Sequence, residues 1–134
     1  MQRDSLVRRI EFRYLDLPEK LPRARRMSFF LTRRQVAARE KDVTRRDAAT
    51  WSTLKPGDQI IAIEKGQGLK AGEGHRVLAL IEVVDVRREK LCDITAEDCA
   101  REGFPEYSPA EFVEFYLRES KGGRRPRGGA DARA

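Results

Sequence analysis

The stretch "RVLALIEVVDVRRE", residues 76–89, is dense in valine, isoleucine and leucine and reads as a long β-strand; the alternation in "EVVDV" gives its later half a wet face. Upstream, "LKPGD" (54–58) puts Pro56 and Gly57 at turn positions and delivers the chain into "QIIAIEK" (59–65), an isoleucine-rich run of buried-strand character. Between the two runs lies the glycine-rich loop "GQGLKAGEGH" (66–75). Its "GQGLKA" matches G-x-G-x-x-A, but Gly72 and Gly74 interrupt and a strand follows, so no helix opens there to meet a pyrophosphate. The loop is read as a surface loop, with the potential to act as a lid.

Working outward, "MSFFLT" (27–32) is a short apolar run of strand type and "RRIEFRYLDL" (8–17) shows a strand-like alternation. Thr32 is expected to cap a short helix in "RRQVAARE" with Val36 and Ala37 facing inward, and "DVTRR" leaves it as a turn or short strand. Thr95 is expected to cap a helix in "ITAEDCAREG" that Gly103 ends. In "SPAEFVEFYLRES" Ser108 caps, Pro109 takes the first helical position, Glu111 completes a capping box, and Phe112, Phe115 and Tyr116 form the buried stripe. Strands with short helices between them, and no crossover judged long enough for a parallel sheet, predict an α+β fold: a small, partly closed β-barrel with short helices covering its ends.

At 134 residues the chain is expected to hold one domain. The net charge of +6 sits in the ends: residues 1–26 and 121–134 are basic, whereas 27–120 carry fifteen basic and seventeen acidic groups. The division expected is therefore a basic N-terminal arm (1–26) whose order the sequence leaves open, a domain over 27–120, and a disordered basic tail (121–134) that can add non-specific nucleic-acid contact. No apolar run approaches the ~20 residues of a membrane span, so a cytoplasmic protein with no membrane partner is expected. Cys92 and Cys99 fit neither a disulfide framework nor a metal knuckle and are read as buried small hydrophobes; with His75 the lone histidine, no metal and no cofactor are expected.

Within the near-neutral middle, "REKDVTRRD" (39–47) is an electrostatic exception. On a helical or tight-turn backbone Lys41 and Thr44 share one face, and a desolvated lysine near Arg45 and Arg46 can take a threonine proton. The competing reading is a basic turn that faces phosphates. Trp51, in polar "AATWST", is a candidate pocket wall, and Glu102 falls in the last helical turn before "GFP", where the dipole disfavours a carboxylate's charge and suits it to proton transfer. Glu97, Asp98 and Glu106 are read as a solvated face.

The succession "MSFFLT", K-x-x-T-x-R at Lys41, Thr44 and Arg46, "W-x-x-LKPGD", a strand, "IT-x-ED-x-AREGFP" and "S-x-x-EFVEFY" resembles the ASCH domain, a PUA-like β-barrel family, over about residues 27–119. The resemblance implies an RNA or modified-nucleoside ligand. In one bacterial branch, which hydrolyses the amide of 4-acetylcytidine, it implies Thr44 as nucleophile, Lys41 as its base and Glu102 as the group handling protons at the amine or at water. Arg46 would anchor or polarise, with Arg45 near the pocket rim and Arg45, Arg46 and Trp51 contacting ligand. Two departures stand out: the family's glycine falls on Arg39, and many members carry glutamate where Thr44 stands. The alternative function is a non-catalytic RNA or modified-nucleic-acid binder.

Overall fold

The computed structural model describes residues 1–66 and 74–123. Its strands are β1 (Leu6–Leu15), β2 (Arg25–Ser28), β3 (Val43–Asp47), β4 (Gln59–Ile63) and β5 (Val77–Lys90), and its α-helices α1 (Arg33–Ala37), α2 (Ala96–Arg101) and α3 (Pro109–Gly123). The strands form one sheet in the order β2-β4-β5-β1-β3. β4 and β5 pair antiparallel, from Gln59 opposite Glu82 to Ile63 opposite Val77. Register shifts at Ala62/Ile63 and Glu11/Phe12 bend the strands, and the sheet curls into a half-barrel. Among the described residues no helix is long and apolar enough to cross a membrane.

Two expectations about organisation are corrected. The compact unit does not begin at Met27: β1 pairs along β5 from Leu6/Lys90 to Leu15/Leu80 and along β3 from Val7/Asp47 to Glu11/Val43, so the first segment supplies an interior strand. Its charged alternation conceals this, because β1 is covered on both faces. Ile10 and Phe12 enter the core inside the curl with Met27, Phe29 and Ile60, while Val7 packs with Leu91, Cys99, Phe104 and Phe112 beneath α2 and α3. The sheet also contains one parallel pair, β2 with β4, contrary to the expectation of no parallel pairing, because α1 and β3 together make the crossover. The expected tail falls mostly outside the described residues, α3 running on to Gly123, as do positions 67–73 of the glycine loop.

Local chemistry explains the helices. Ser108 and Glu111 exchange the reciprocal bonds of a capping box (2.8 and 3.2 Å), starting α3 at Pro109. Thr95 accepts from the Asp98 N–H and caps α2. Thr32 occupies the N-cap position of α1 but its side chain makes no cap bond, its carbonyl alone accepting from the Val36 N–H, and Gln35 joins Val36 as the inward pair while Ala37 is exposed. Cys99 is buried but Cys92 is exposed, a correction to its expected burial.

Helix α1 ends in a Schellman turn: the Arg39 N–H bonds Val36 O (3.0 Å), the Glu40 N–H bonds Gln35 O (2.8 Å), and Arg39 sits at φ +60°. This is the position glycine would take, so an arginine there bears the left-handed cost, offset in part by its guanidinium 5.2 Å from the Tyr14 ring centroid. Arg39→Gly is expected to stabilise the fold by about 0.5–1 kcal/mol and raise the melting midpoint by about 2–4 °C. A lowered midpoint in thermal denaturation would contradict this.

Candidate functional site

Two helix ends aim the site. The α1 turn hands the chain to Lys41, whose carbonyl is pinned by the Tyr14 hydroxyl at 2.5 Å and whose neighbour Asp42 receives two bonds from Arg101 (3.0 and 3.2 Å). Helix α2 ends the same way: Gly103, at φ +103°, bonds Ala100 O and Phe104 bonds Cys99 O, which leaves Glu102 as the last residue before the reversal. A Cβ on Gly103 would fall 2.9 Å from Gln35 Cγ, and Gln35 Nε2 donates to Gly103 O at 3.1 Å. The two turns thus pack directly on one another. That contact brings together Lys41 and Glu102, 61 positions apart, with Lys41 Nζ donating to Glu102 Oε1 at 2.7 Å and to its carbonyl at 2.8 Å.

Beyond Lys41 the chain is neither helix nor tight turn but edge strand β3, which corrects the basis on which Lys41 and Thr44 were expected to share a face. Strand alternation puts Thr44 and Arg46 on one face and Arg45 on the other. On the first, Arg46 Nε donates to Thr44 Oγ1 (3.1 Å), its Nη2 donates to Ser28 O on β2 (2.8 Å), and its guanidinium lies 4.7 Å from the Phe29 ring centroid. This side chain bridges the two sheet edges. Among the described residues Arg46 joins no ion pair, and burial works against its charge, with Tyr116 and Glu102 opposing that.

On the second face Arg45 is the centre of a buried charge network rather than a rim group, its side chain 1% exposed. It donates to Glu102 Oε2 (3.0 Å), Asp98 Oδ2 (2.6 Å) and Glu89 Oε2 (2.5 Å). Arg9 stands directly opposite Arg45 across the β1–β3 pairing, and Asp98 joins the two cations by also accepting from Arg9 at 2.6 and 3.1 Å. Burial alone would raise the Asp98 pKa, but the hydrogen bonds from Arg9 and Arg45 overcome it and hold the carboxyl below the usual range. Asp98, expected on a solvated face, is instead a buried counter-ion. Sequence offers little signal for it beyond its position beside Cys99 on a short helix.

Lys41, Thr44, Arg45, Arg46 and Glu102 all line one cavity of about 350 Å³, walled on its apolar side by Phe29, Phe112, Phe115 and Tyr116. Lys41 is 2% exposed, and burial lowers its pKa against the opposing pull of Glu102. Tyr116, expected in the buried stripe of α3, also lines this cavity, its pKa pushed up to about 12 by burial against the nearby Arg46 charge. Trp51, the expected pocket wall, does not line this cavity; half-buried, it packs against the inner core with Arg25 4.0 Å from its ring centroid. Among the described residues no group of three His, Cys, Asp or Glu side chains is placed to hold a metal ion.

No family model, no curated protein and no solved structure matches this chain.

Proposed function

We propose that the chain is an ASCH-type, PUA-like barrel whose mouth takes a nucleoside-sized ligand and hydrolyses the amide of an N-acylated cytosine nucleoside such as 4-acetylcytidine. The observation that carries this is the convergence of a desolvated Lys41, Thr44, Arg46 and Glu102 on one aromatic-walled cavity, although Glu102 comes from a distant helix end. A volume of about 350 Å³ suits a small planar ligand.

The chemistry runs through the side chains in turn. Thr44 Oγ1 attacks the acyl carbon as its proton passes to neutral Lys41, and the carbonyl electron pair moves to oxygen beside the Arg46 guanidinium. The pair returns, the C–N bond breaks, and the departing nitrogen takes the proton from Lys41. Water, deprotonated by Glu102 beside Lys41, then attacks acyl-Thr44, and Glu102 returns that proton to the Thr44 oxygen as the carboxylic acid leaves.

A second reading, a non-catalytic binder of RNA or modified nucleic acid, draws on the bonds Lys41 already makes to Glu102 and on Thr44 accepting from Arg46 rather than donating to Lys41. Incubation with 4-acetylcytidine, followed by chromatography for cytidine, separates the two. Wild type should release cytidine, Thr44→Ala should fall to background, and Thr44→Ser should retain part of the rate. Cytidine release that survives Thr44→Ala would remove the nucleophile. Absence of release from any acylated cytosine, with salt-sensitive RNA binding, would favour the binder.

A further inference from the structure

The apolar wall of the cavity carries one polar group that the scheme above leaves unused, the Tyr116 hydroxyl. It is delivered by α3, whose inner stripe fixes the ring 6.1 Å from Phe112, centroid to centroid. The hydroxyl donates to Arg45 O at 3.4 Å, well beyond the ~2.7–2.8 Å of a good O–H···O bond, so its donor capacity is under-used. Arg46 is in a similar state: its guanidinium is placed by Ser28, Thr44 and Phe29 yet enters no ion pair among the described residues. Both groups line the cavity that Thr44 lines, and the Arg46 charge acts on the Tyr116 hydroxyl.

We infer that Tyr116 and Arg46 form an oxyanion-binding pair, taking the oxygen that becomes negative when Thr44 attacks an acyl group and, after reaction, the carboxylate released. A phenol that keeps its proton throughout the working range donates an O–H, and a guanidinium adds positive charge; Thr44 and Ser28 hold the guanidinium in place, and the hydroxyl has only to turn from its long bond to Arg45 O. Such a pair selects for acyl groups over ligands of similar shape with no polarisable oxygen. The inference rests on the amide-hydrolase reading for its substrate, but carboxylate binding tests it separately.

Tyr116→Phe keeps the ring and removes only the donor. With 4-acetylcytidine, kcat is expected to fall about 10²–10³-fold, the range for loss of one oxyanion donor, while KM changes less than about threefold because the interaction strengthens only in the transition state. Acetate titrated into the full-length protein is expected to move the Arg46 Nε–H resonance in wild type and to bind more weakly to Tyr116→Phe. An acetate response in Tyr116→Phe equal to wild type overturns the pair, whether or not the protein hydrolyses amides, and an unchanged kcat overturns it where the wild type does. A Tyr116-dependent acetate response in a wild type that hydrolyses no acylated cytosine supports the pair and removes the hydrolase reading instead.

Discussion

Arg45→Met is expected to destabilise the folded protein by roughly 3–5 kcal/mol, the range for removing one partner of a buried ion pair. The side chain is 1% exposed and serves three carboxylates from two elements: Glu89 on β5, and Asp98 and Glu102 on α2 and at its C-terminal end. Methionine fills the stem's volume and supplies no charge. Asp98 then keeps Arg9, Glu102 keeps Lys41 and Glu89 keeps Arg87 at 3.4 Å, so each anion has a cation left, but the group that held them together is gone. Arg45→Lys is expected to recover only part of the loss, since an ammonium cannot reach three acceptors with the planar guanidinium's geometry. The pH dependence follows from Asp98, whose pKa is lowered in the folded state by Arg9 and Arg45. Its contribution is present above the ordinary carboxylate pKa of about 3.9 and lost as pH falls below that toward the folded value. Wild-type stability should therefore fall steeply below about pH 4, and less steeply in Arg45→Met, where Asp98 has lost one of its two arginines. Urea denaturation between pH 7 and pH 2 reads both effects; a loss under about 1 kcal/mol at pH 7 would show that the buried hub is not a stabilising element.

What the sequence made legible follows from how local each signal is. The α3 capping box, the β4 and β5 runs and the Thr95 cap depend on neighbours within a few positions, and all stand in the structure. The grouping of Lys41, Thr44, Arg46 and Glu102 came from the resemblance in motif order; the shared face expected of Lys41 and Thr44 on a helical or tight-turn backbone gives way to strand β3, the short strand that "DVTRR" also allowed. The rest depends on long-range neutralisation. Arg9 and Asp98 look like surface charges in sequence because only their mutual contact, 89 positions apart, makes burial tolerable. Charge in "RRIEFRYL" likewise disguised an interior strand, since Arg9 is neutralised by a partner that no periodicity reveals. Arg39 shows the opposite case. A residue with a side chain bears a left-handed cost where glycine would not, yet the Schellman turn forms at φ +60°.

On the proposed hydrolase reading, Lys41→Met is expected to lower amide hydrolysis by about 10²–10⁴-fold, the usual contribution of a positioned general base. Two observations make this lysine the group to remove: it lines the cavity with Thr44, and burial lowers its pKa despite the carboxylate 2.7 Å away. The sign is fixed by which form does the work. Only the neutral amine accepts the threonine proton, so the wild-type rate rises with pH and levels off below the ~10.5 of an ordinary lysine, whereas the residual rate of Lys41→Met should lack that titration. Unfolding is separable from loss of the base. Glu102 retains Arg45 at 3.0 Å, so the variant forfeits the Lys41 ion pair with its two hydrogen bonds but leaves Glu102 a cation, a cost of about 1–3 kcal/mol. Melting curves taken beside the kinetics verify this. A folded Lys41→Met protein with an undiminished rate and the same pH profile would take the lysine out of the proton path and leave it as the counter-ion of Glu102, which is the arrangement the non-catalytic reading requires.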